Sequence, residues 1–154
     1  MKVAVISGYF SPVHAGHIEY ARLAREYVGE DGFVYCIVNS DDQSILKKGY
    51  SFVPETDRMA VMNALKYIDE AILSIDADRS VSKTLEYLAT CGGHKKPTHF
   101  LNGGDVTCQS KCPEEDVCNL HGIQLVYGFG DKIQSSSWIL QKSVINAYNM
   151  MTIN

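Results

Sequence analysis

An apolar run, Val3-Ala4-Val5-Ile6, leads into Gly8-Tyr9-Phe10-Ser11-Pro12-Val13-His14-Ala15-Gly16-His17 and on into Ile18-Glu19-Tyr20-Ala21-Arg22-Leu23-Ala24-Arg25. The first run is short and unbroken, as in a strand buried on both faces; the last has apolar residues at helical spacing. After Glu30-Asp31-Gly32 a second apolar run follows, Phe33-Val34-Tyr35-Cys36-Ile37-Val38. Strand, helix and strand with short links make a βαβ unit, which requires parallel strands and a right-handed crossover. No other feature narrows the fold as far. In open sheets of this kind ligands bind at the carboxyl ends of the strands. His14 and His17 fall at that end of the first strand, where a helix begins and offers amide donors and a positive dipole end to an anion. Glycine at 16 keeps side-chain bulk away from the backbone there.

The remaining chain repeats the alternation. Asn39-Ser40-Asp41-Asp42 follows the second strand, and the polar stretch with Lys47-Lys48-Gly49-Tyr50 reads as a loop. Pro54-Glu55-Thr56-Asp57 opens a helix with acids in its first turn, and Met59, Met62, Ala64, Leu65 and Ile68 are spaced for one apolar face. Glu70-Ala71-Ile72-Leu73-Ser74-Ile75 is a short third strand, and a helix near 80–91 ends at Gly92-Gly93. Thr98-His99-Phe100-Leu101-Asn102 forms a fourth strand that stops at Gly103-Gly104-Asp105. An irregular region, a short helix near 114–121 and the strand Ile123-Gln124-Leu125-Val126-Tyr127 follow. Ser135-Ser136-Ser137 then caps an amphipathic helix opening at Trp138. The pattern predicts one α/β domain over residues 1–154, a Rossmann-like doubly wound parallel sheet of about five strands.

Each polar cluster lands on the same sheet edge. Two histidines, the cations Lys47, Lys48 and Arg58, two helix N-termini and a serine cluster converge there. Such a set suits a polyphosphate whose charge shifts during displacement at phosphorus. Arg58 also has a plain alternative, pairing with Glu55 or Asp57 on its own helix. Neither Gly-x-x-x-x-Gly-Lys-Ser/Thr nor a Gly-x-Gly-x-x-Gly after the first strand is present, which excludes Walker-type and dinucleotide-type phosphate loops. A net charge of -4 argues against a nucleic-acid partner, so any anion site is local. No apolar run has membrane-spanning length, and Met1-Lys2 leads straight into a strand without a signal-peptide pattern; no membrane partner and a cytoplasmic location are expected. Five cysteines cannot all pair internally and read as thiols. Cys108, Cys112, Cys118 and His121 match no compact zinc spacing.

The segment Gly8–His17 resembles the Gly-x-Phe-Asp-x-x-His-x-Gly-His signature of the cytidylyltransferase-like nucleotidyltransferases. Val38-Asn39-Ser40-Asp41-Asp42, Lys48-Gly49, Arg58 and Tyr67-Ile68-Asp69-Glu70-Ala71 are similar to that family's second block. Asn102-Gly103-Gly104-Asp105 resembles its Gly-Gly-Asp turn, and Ser135-Ser136-Ser137-Trp138-Ile139 stands in the place of its Ile-Ser-Thr-Thr/Ser-x-Ile motif. The resemblance implies transfer of CMP or AMP from CTP or ATP, taken with Mg²⁺, onto a small phosphorylated alcohol or sugar. His14 and His17 would stabilise the transition state at the α-phosphorus, and Lys48 would neutralise phosphates and guide the acceptor. Gly8, Tyr9, Phe10 and Gly16 would border the nucleotide with Arg58; Gly104 and Asp105 would lie near base or ribose. Ser135, Ser136 and Ser137 would bind the β- and γ-phosphates. Family members are commonly dimers, and the apolar faces near 59–68 and 138–150 agree with a homodimer, Trp138 serving core or subunit contact.

Two positions depart from the pattern. Ser11 stands where the family has aspartate, and Gly130-Asp131-Lys132-Ile133-Gln134 replaces the Arg-Thr-Glu-Gly of many cytidylyltransferases. Lys132 could supply the cation but not an arginine's bidentate grip. The rival reading is a nucleotide-binding module that keeps the pocket without turnover. A fragment of a class I aminoacyl-tRNA synthetase, which shares His-x-Gly-His, is excluded by length, acidity and the missing lysine-rich signature.

Overall fold

The computed structural model describes residues 1–103, 112–129 and 136–152. The chain alternates as β1 (Val3–Gly8), α1 (Ala15–Val28), β2 (Phe33–Val38), α2 (Asp41–Lys48), α3 (Glu55–Ala64) and β3 (Glu70–Leu73). It continues as α4 (Ser82–Tyr87), β4 (His99–Gly103), α5 (Glu115–His121), β5 (Gln124–Phe129) and α6 (Ser136–Thr152). All five strands are parallel, in the order β3-β2-β1-β4-β5. The chain winds outward from β1 to one edge and then from β4 to the other, so the strand order reverses between β1 and β4. Crevices form at that reversal, and the loop carrying both histidines leaves β1 beside it.

β1 is apolar without alternation because both sides of the sheet are covered. Ala4 and Ile6 join Cys36, Val38 and Leu101 beneath Ala21, Ala24 and Val28 of α1 and Met62 of α3. Val3 and Val5 face the other way, with Tyr35, Ile37 and Phe100, against Leu85 of α4 and Cys118 of α5. The register runs from Val3 opposite Phe33 to Gly8 opposite Val38, which brings the ends of β1 and β2 level.

Three local expectations are corrected. The lysine-bearing stretch is not a loop but the last turn of α2. Ser40 Oγ accepts from the Gln43 N–H at 3.2 Å while Gln43 Oε1 accepts from the Ser40 N–H at 3.0 Å, a reciprocal cap. Gly49 closes the helix in the left-handed region at φ 83°. The helix escapes a hydrophobic-pattern reading because its buried residues are Gln43 and Ser44, whereas Ile45 and Leu46 are exposed. α3 stops at Ala64, so Leu65 and Ile68 pack from the turn before β3 rather than from a helix face. α4 ends at Tyr87 and widens into a π-helical turn, Leu88–Gly92. The C-terminal helix extends to Thr152, and Val144, Ile145, Tyr148 and Met151 are each more than half exposed. Among the described residues no helix is long and apolar enough to cross a membrane.

Candidate active site

The histidines are built into the start of α1 as its cap. The Gly16 N–H donates to His14 Nδ1 at 3.1 Å, and the His14 N–H donates to His17 Nδ1 at 3.2 Å. This is the reciprocal capping box, with imidazoles in the roles that serine and glutamate usually take. The rings stack, centroids 3.8 Å apart and 23° between planes. Since each Nδ1 accepts a backbone hydrogen, each neutral ring carries its own proton on Nε2 and presents an N–H donor there. Burial, then the nearby His14 and Lys48 charges, lower the His17 pKa from 6.5 to about 3. Burial also lowers that of His14. At neutral pH the pair is therefore uncharged, two fixed donors rather than two cations.

This changes the expected role of the helix terminus. The Gly16 amide is taken by His14 Nδ1, and the His17 and Ile18 amides donate to the His14 carbonyl at 3.0 and 3.2 Å. The amides of residues 16–18 are thus engaged within the cap, which leaves the imidazole Nε2–H groups as donors at this end of α1.

Phe10 sets the position of His17. Its buried ring meets the imidazole edge-to-face at 4.9 Å and folds back over Gly8, where a Cβ would sit 2.9 Å from Phe10 Cζ. Phe10 itself takes φ 53°, a conformation a non-glycine residue adopts only when its surroundings impose it. Gly8 and Phe10 therefore support the histidines from beneath. Ser11, where the family motif has aspartate, is buried and accepts the Val53 N–H at 3.1 Å.

Arg58 is 1% exposed and ties the strand ends together. Its Nε donates to the Val53 carbonyl, one Nη to the carbonyls of Tyr9 and Asn39, and the other to Asp41 Oδ1 at 2.8 Å. The alternative partners Glu55 and Asp57 do not pair with it; Asp41 does, and Ser51 Oγ also donates to that carboxylate at 2.7 Å. The guanidinium is spent on the loops after β1 and β2, which assigns Arg58 to holding the site rather than gripping phosphate.

Tyr9 and the lysines lie on the β2 side. Lys47 Nζ stands 4.4 Å over the Tyr9 ring, and Lys48 is half-buried close to His17. The Tyr9 hydroxyl is buried without a well-formed hydrogen bond, and burial raises its pKa while the adjoining Arg79 guanidinium opposes that rise. Arg79 was not anticipated. Its signal is the Asp78-Arg79-Ser80 triplet, an aspartate folding onto the residue two positions on: the Ser80 N–H and Oγ donate to Asp78 Oδ1 at 2.9 and 2.7 Å. Gln43, likewise unanticipated, donates from Nε2 to the carbonyls of Asp78 and Ser80 at 2.7 and 2.8 Å.

Gly104, Asp105, Lys132 and Ser135 lie outside the described residues, and Ser136, Ser137 and Trp138 are described only as the first residues of α6. Asn102, at the end of β4, is buried and donates to Cys112 Sγ at 3.5 Å; that thiol donates to Glu114 Oε2 at 3.0 Å. Cys112 and Cys118 are free thiols that burial pushes up to about 11 and about 12. Among the described residues no group of three His, Cys, Asp or Glu is placed to hold a metal ion.

A parallel sheet of order 3-2-1-4-5 with paired histidines at its reversal defines an open, Rossmann-like α/β protein, and sequence comparison makes the class specific. The cytidylyltransferase-like family model matches residues 5–129, and the chain belongs to that family. Among curated relatives, FAD synthase of Methanopyrus kandleri is 32% identical over 81 residues, 53% of this chain and 54% of that protein. The Bifunctional protein HldE of Erwinia tasmaniensis is 33% identical over 117 residues, 68% of this chain and 24% of that protein. The chain thus spans about half the length of the FAD synthase it matches and about a quarter of HldE. Among solved structures, the lipopolysaccharide core biosynthesis protein from Thermoplasma volcanium superimposes with a TM-score of 0.65 at 21% identity, covering 85% of this chain and 98% of that one, which establishes a shared fold.

Proposed function

We propose that the protein is a nucleotidyltransferase that moves CMP or AMP from CTP or ATP onto a small phosphorylated alcohol or sugar. An oxygen of the acceptor's phosphate attacks the α-phosphorus, a new P–O–P bond forms, and the bond to the β-phosphate breaks. Pyrophosphate leaves with the electron pair. The observation that carries the reading is the histidine pair: two neutral imidazoles whose Nδ1 atoms are occupied by backbone donors, leaving both Nε2–H groups for phosphate oxygens.

Charge accumulates on the phosphate oxygens as the displacement proceeds, and donors fixed beforehand need no reorganisation to meet it. The capping box and the Phe10 contact supply that fixity. Lys48 adds a positive charge beside His17, suited to drawing phosphates toward the pair. Gly8, Tyr9, Phe10 and Gly16 frame this centre, with Arg58 locking the frame. Gly104-Asp105 would meet the base or ribose, and Ser135, Ser136 and Ser137 the β- and γ-phosphates at the start of α6. Mg²⁺ enters as part of the substrate, carried on the triphosphate, since hard divalent cations of this size keep water and phosphate oxygens as ligands. A relative named FAD synthase favours AMP and a phosphorylated acceptor at least as strongly as CMP. We further read the protein as cytoplasmic, and as a homodimer in which the exposed apolar side chains of α6 are covered.

The test is pyrophosphate release from CTP or ATP with a panel of sugar, polyol and flavin phosphates. His17→Ala should lower turnover by about two orders of magnitude or more, the size seen when one fixed transition-state donor is removed. Turnover equal to wild type would overturn the role given to His17. Nucleotide binding without pyrophosphate release from any pair would leave the non-catalytic module.

A further inference from the structure

The proposed displacement is in line, so acceptor and leaving pyrophosphate must approach the α-phosphorus from opposite sides. The histidines sit at the start of α1, just beyond the carboxyl end of β1, the middle strand of the sheet. If the β- and γ-phosphates occupy the side reached through β4, β5 and α6, the acceptor's phosphate belongs on the other side, where the loops after β2 and β3 end. On that side the structure concentrates cations against an acidic background of net charge -4.

Four side chains from three segments lie on that side. Lys47 and Lys48 come from the last turn of α2, and Tyr9 from the β1 loop with Lys47 Nζ 4.4 Å over its ring. Arg79 comes from the β3–α4 connection and reaches the Tyr9 hydroxyl. The turn bearing Arg79 is clamped on both flanks: Gln43 Nε2, buried, holds the carbonyls of residues 78 and 80, and Asp78 Oδ1 holds the Ser80 N–H and hydroxyl. Gln43 is itself fixed by the cap of α2 and by Asn39 Nδ2 at 3.1 Å. One buried side chain thus sets the spacing between the Arg79 turn and the helix that carries the lysines. A rigid turn with an exposed arginine at its tip is an expensive arrangement for a merely solvated residue. Three nearby carboxylates are committed elsewhere: Asp41 to Arg58 and Ser51, Asp78 to its own turn, and Glu55 Oε1 to the Asp41 N–H at 3.2 Å. The Tyr9 hydroxyl, buried and short of a hydrogen bond, is a donor waiting for an acceptor atom.

We propose that Arg79, at the tip of the Gln43-clamped turn, together with the Tyr9 hydroxyl and Lys48 forms the subsite that grips the phosphate of the acceptor, a phosphate monoester. Arginine offers a planar fork to two phosphate oxygens, Tyr9 supplies a third donor, and Lys48, close to His17, a fourth. Tyr9 then borders the acceptor rather than the nucleotide, and Gln43 is a positioning residue. The inference rests on the transferase reading for the identity of its ligand.

Inorganic phosphate titrated into the full chain, followed by amide and arginine side-chain resonances, tests it. Phosphate should shift Tyr9, residues 78–80 and the Arg79 Nε–H as one group. Arg79→Gln should weaken that group's response about tenfold or more, the usual scale for losing hydrogen bonds to a charged group, while Arg79→Lys retains part of it. Gln43→Ala should weaken the same response without removing any phosphate donor. Phosphate that shifts only Gly16 and His17, or shifts residues 78–80 equally in wild type and Arg79→Gln, overturns the subsite. CTP and ATP are titrated separately. A chain that binds neither nucleotide but shows the Arg79-dependent response loses the transferase reading and keeps the subsite; nucleotide binding without that response does the reverse.

Discussion

Protonating His17 should destabilise the fold at the start of α1, and the effect can be sized. An unfolded histidine titrates near 6.5, whereas the folded value is about 3 because burial, His14 and Lys48 all oppose a charge there. The unfolded chain therefore binds more protons below pH 6.5, and stability must fall as pH falls. Above 6.5 both states are neutral and the group contributes nothing to the slope. Between 6.5 and about 3 the loss approaches 1.36 kcal/mol per pH unit, so moving from pH 7.5 to 5.0 costs about 2 kcal/mol from this residue. The structural cause is plain: a proton on Nδ1 would displace the His14 N–H that it accepts and break half the cap of α1. His14 and His99, also lowered, act with the same sign, and the carboxylates Glu19, Asp41 and Asp78, held below their usual range, act at lower pH. Comparison with His17→Gln isolates the term, because glutamine at this position can still accept the His14 N–H but does not titrate. Urea unfolding at pH 7.5 and 5.0 should show wild type losing about 2 kcal/mol more than His17→Gln. Equal losses in the two proteins would refute the claim that a neutral, buried imidazole forms the cap.

Two further substitutions probe the frame. Arg58→Met leaves the Tyr9, Asn39 and Val53 carbonyls and the Asp41 carboxylate without their donor, and should cost about 3–5 kcal/mol by urea unfolding; a loss below 1 kcal/mol, roughly the worth of an exposed pair, would show the guanidinium is not structural. Gly32→Ala places a Cβ 2.5 Å from the Val28 carbonyl and should destabilise by about 1–3 kcal/mol, read as a lower melting temperature; an unchanged midpoint would mean that the α1–β2 link yields more easily than its packing implies.

Legibility in the sequence followed interaction range. The capping box of α1 joins residues two and three apart, so the motif announces both the helix start and the histidine pair. α2 was missed although its cap is equally local, because the inward residues Gln43 and Ser44 are polar and remove the periodic signal on which helices are recognised. Spacing alone suggests a phosphate or surface role for Arg58 because its partners lie five to 49 positions away. Arg79 was passed over for the same reason: nothing near it in sequence mentions Tyr9 or Gln43.

The sequence by itself determined the alternation of strands and helices, the parallel sheet and the donors at its edge, since burial on both faces writes unbroken apolar runs and helix starts carry their caps beside them. Only the tertiary structure decided which cations stay available and which are consumed. Arg58 lies at the centre of the loops and is spent on them, while Arg79, on a turn held by a residue 35 positions away, is left at the rim. The physical reason is that a hydrogen bond is indifferent to chain separation: folding, not spacing, assigns each donor its acceptor.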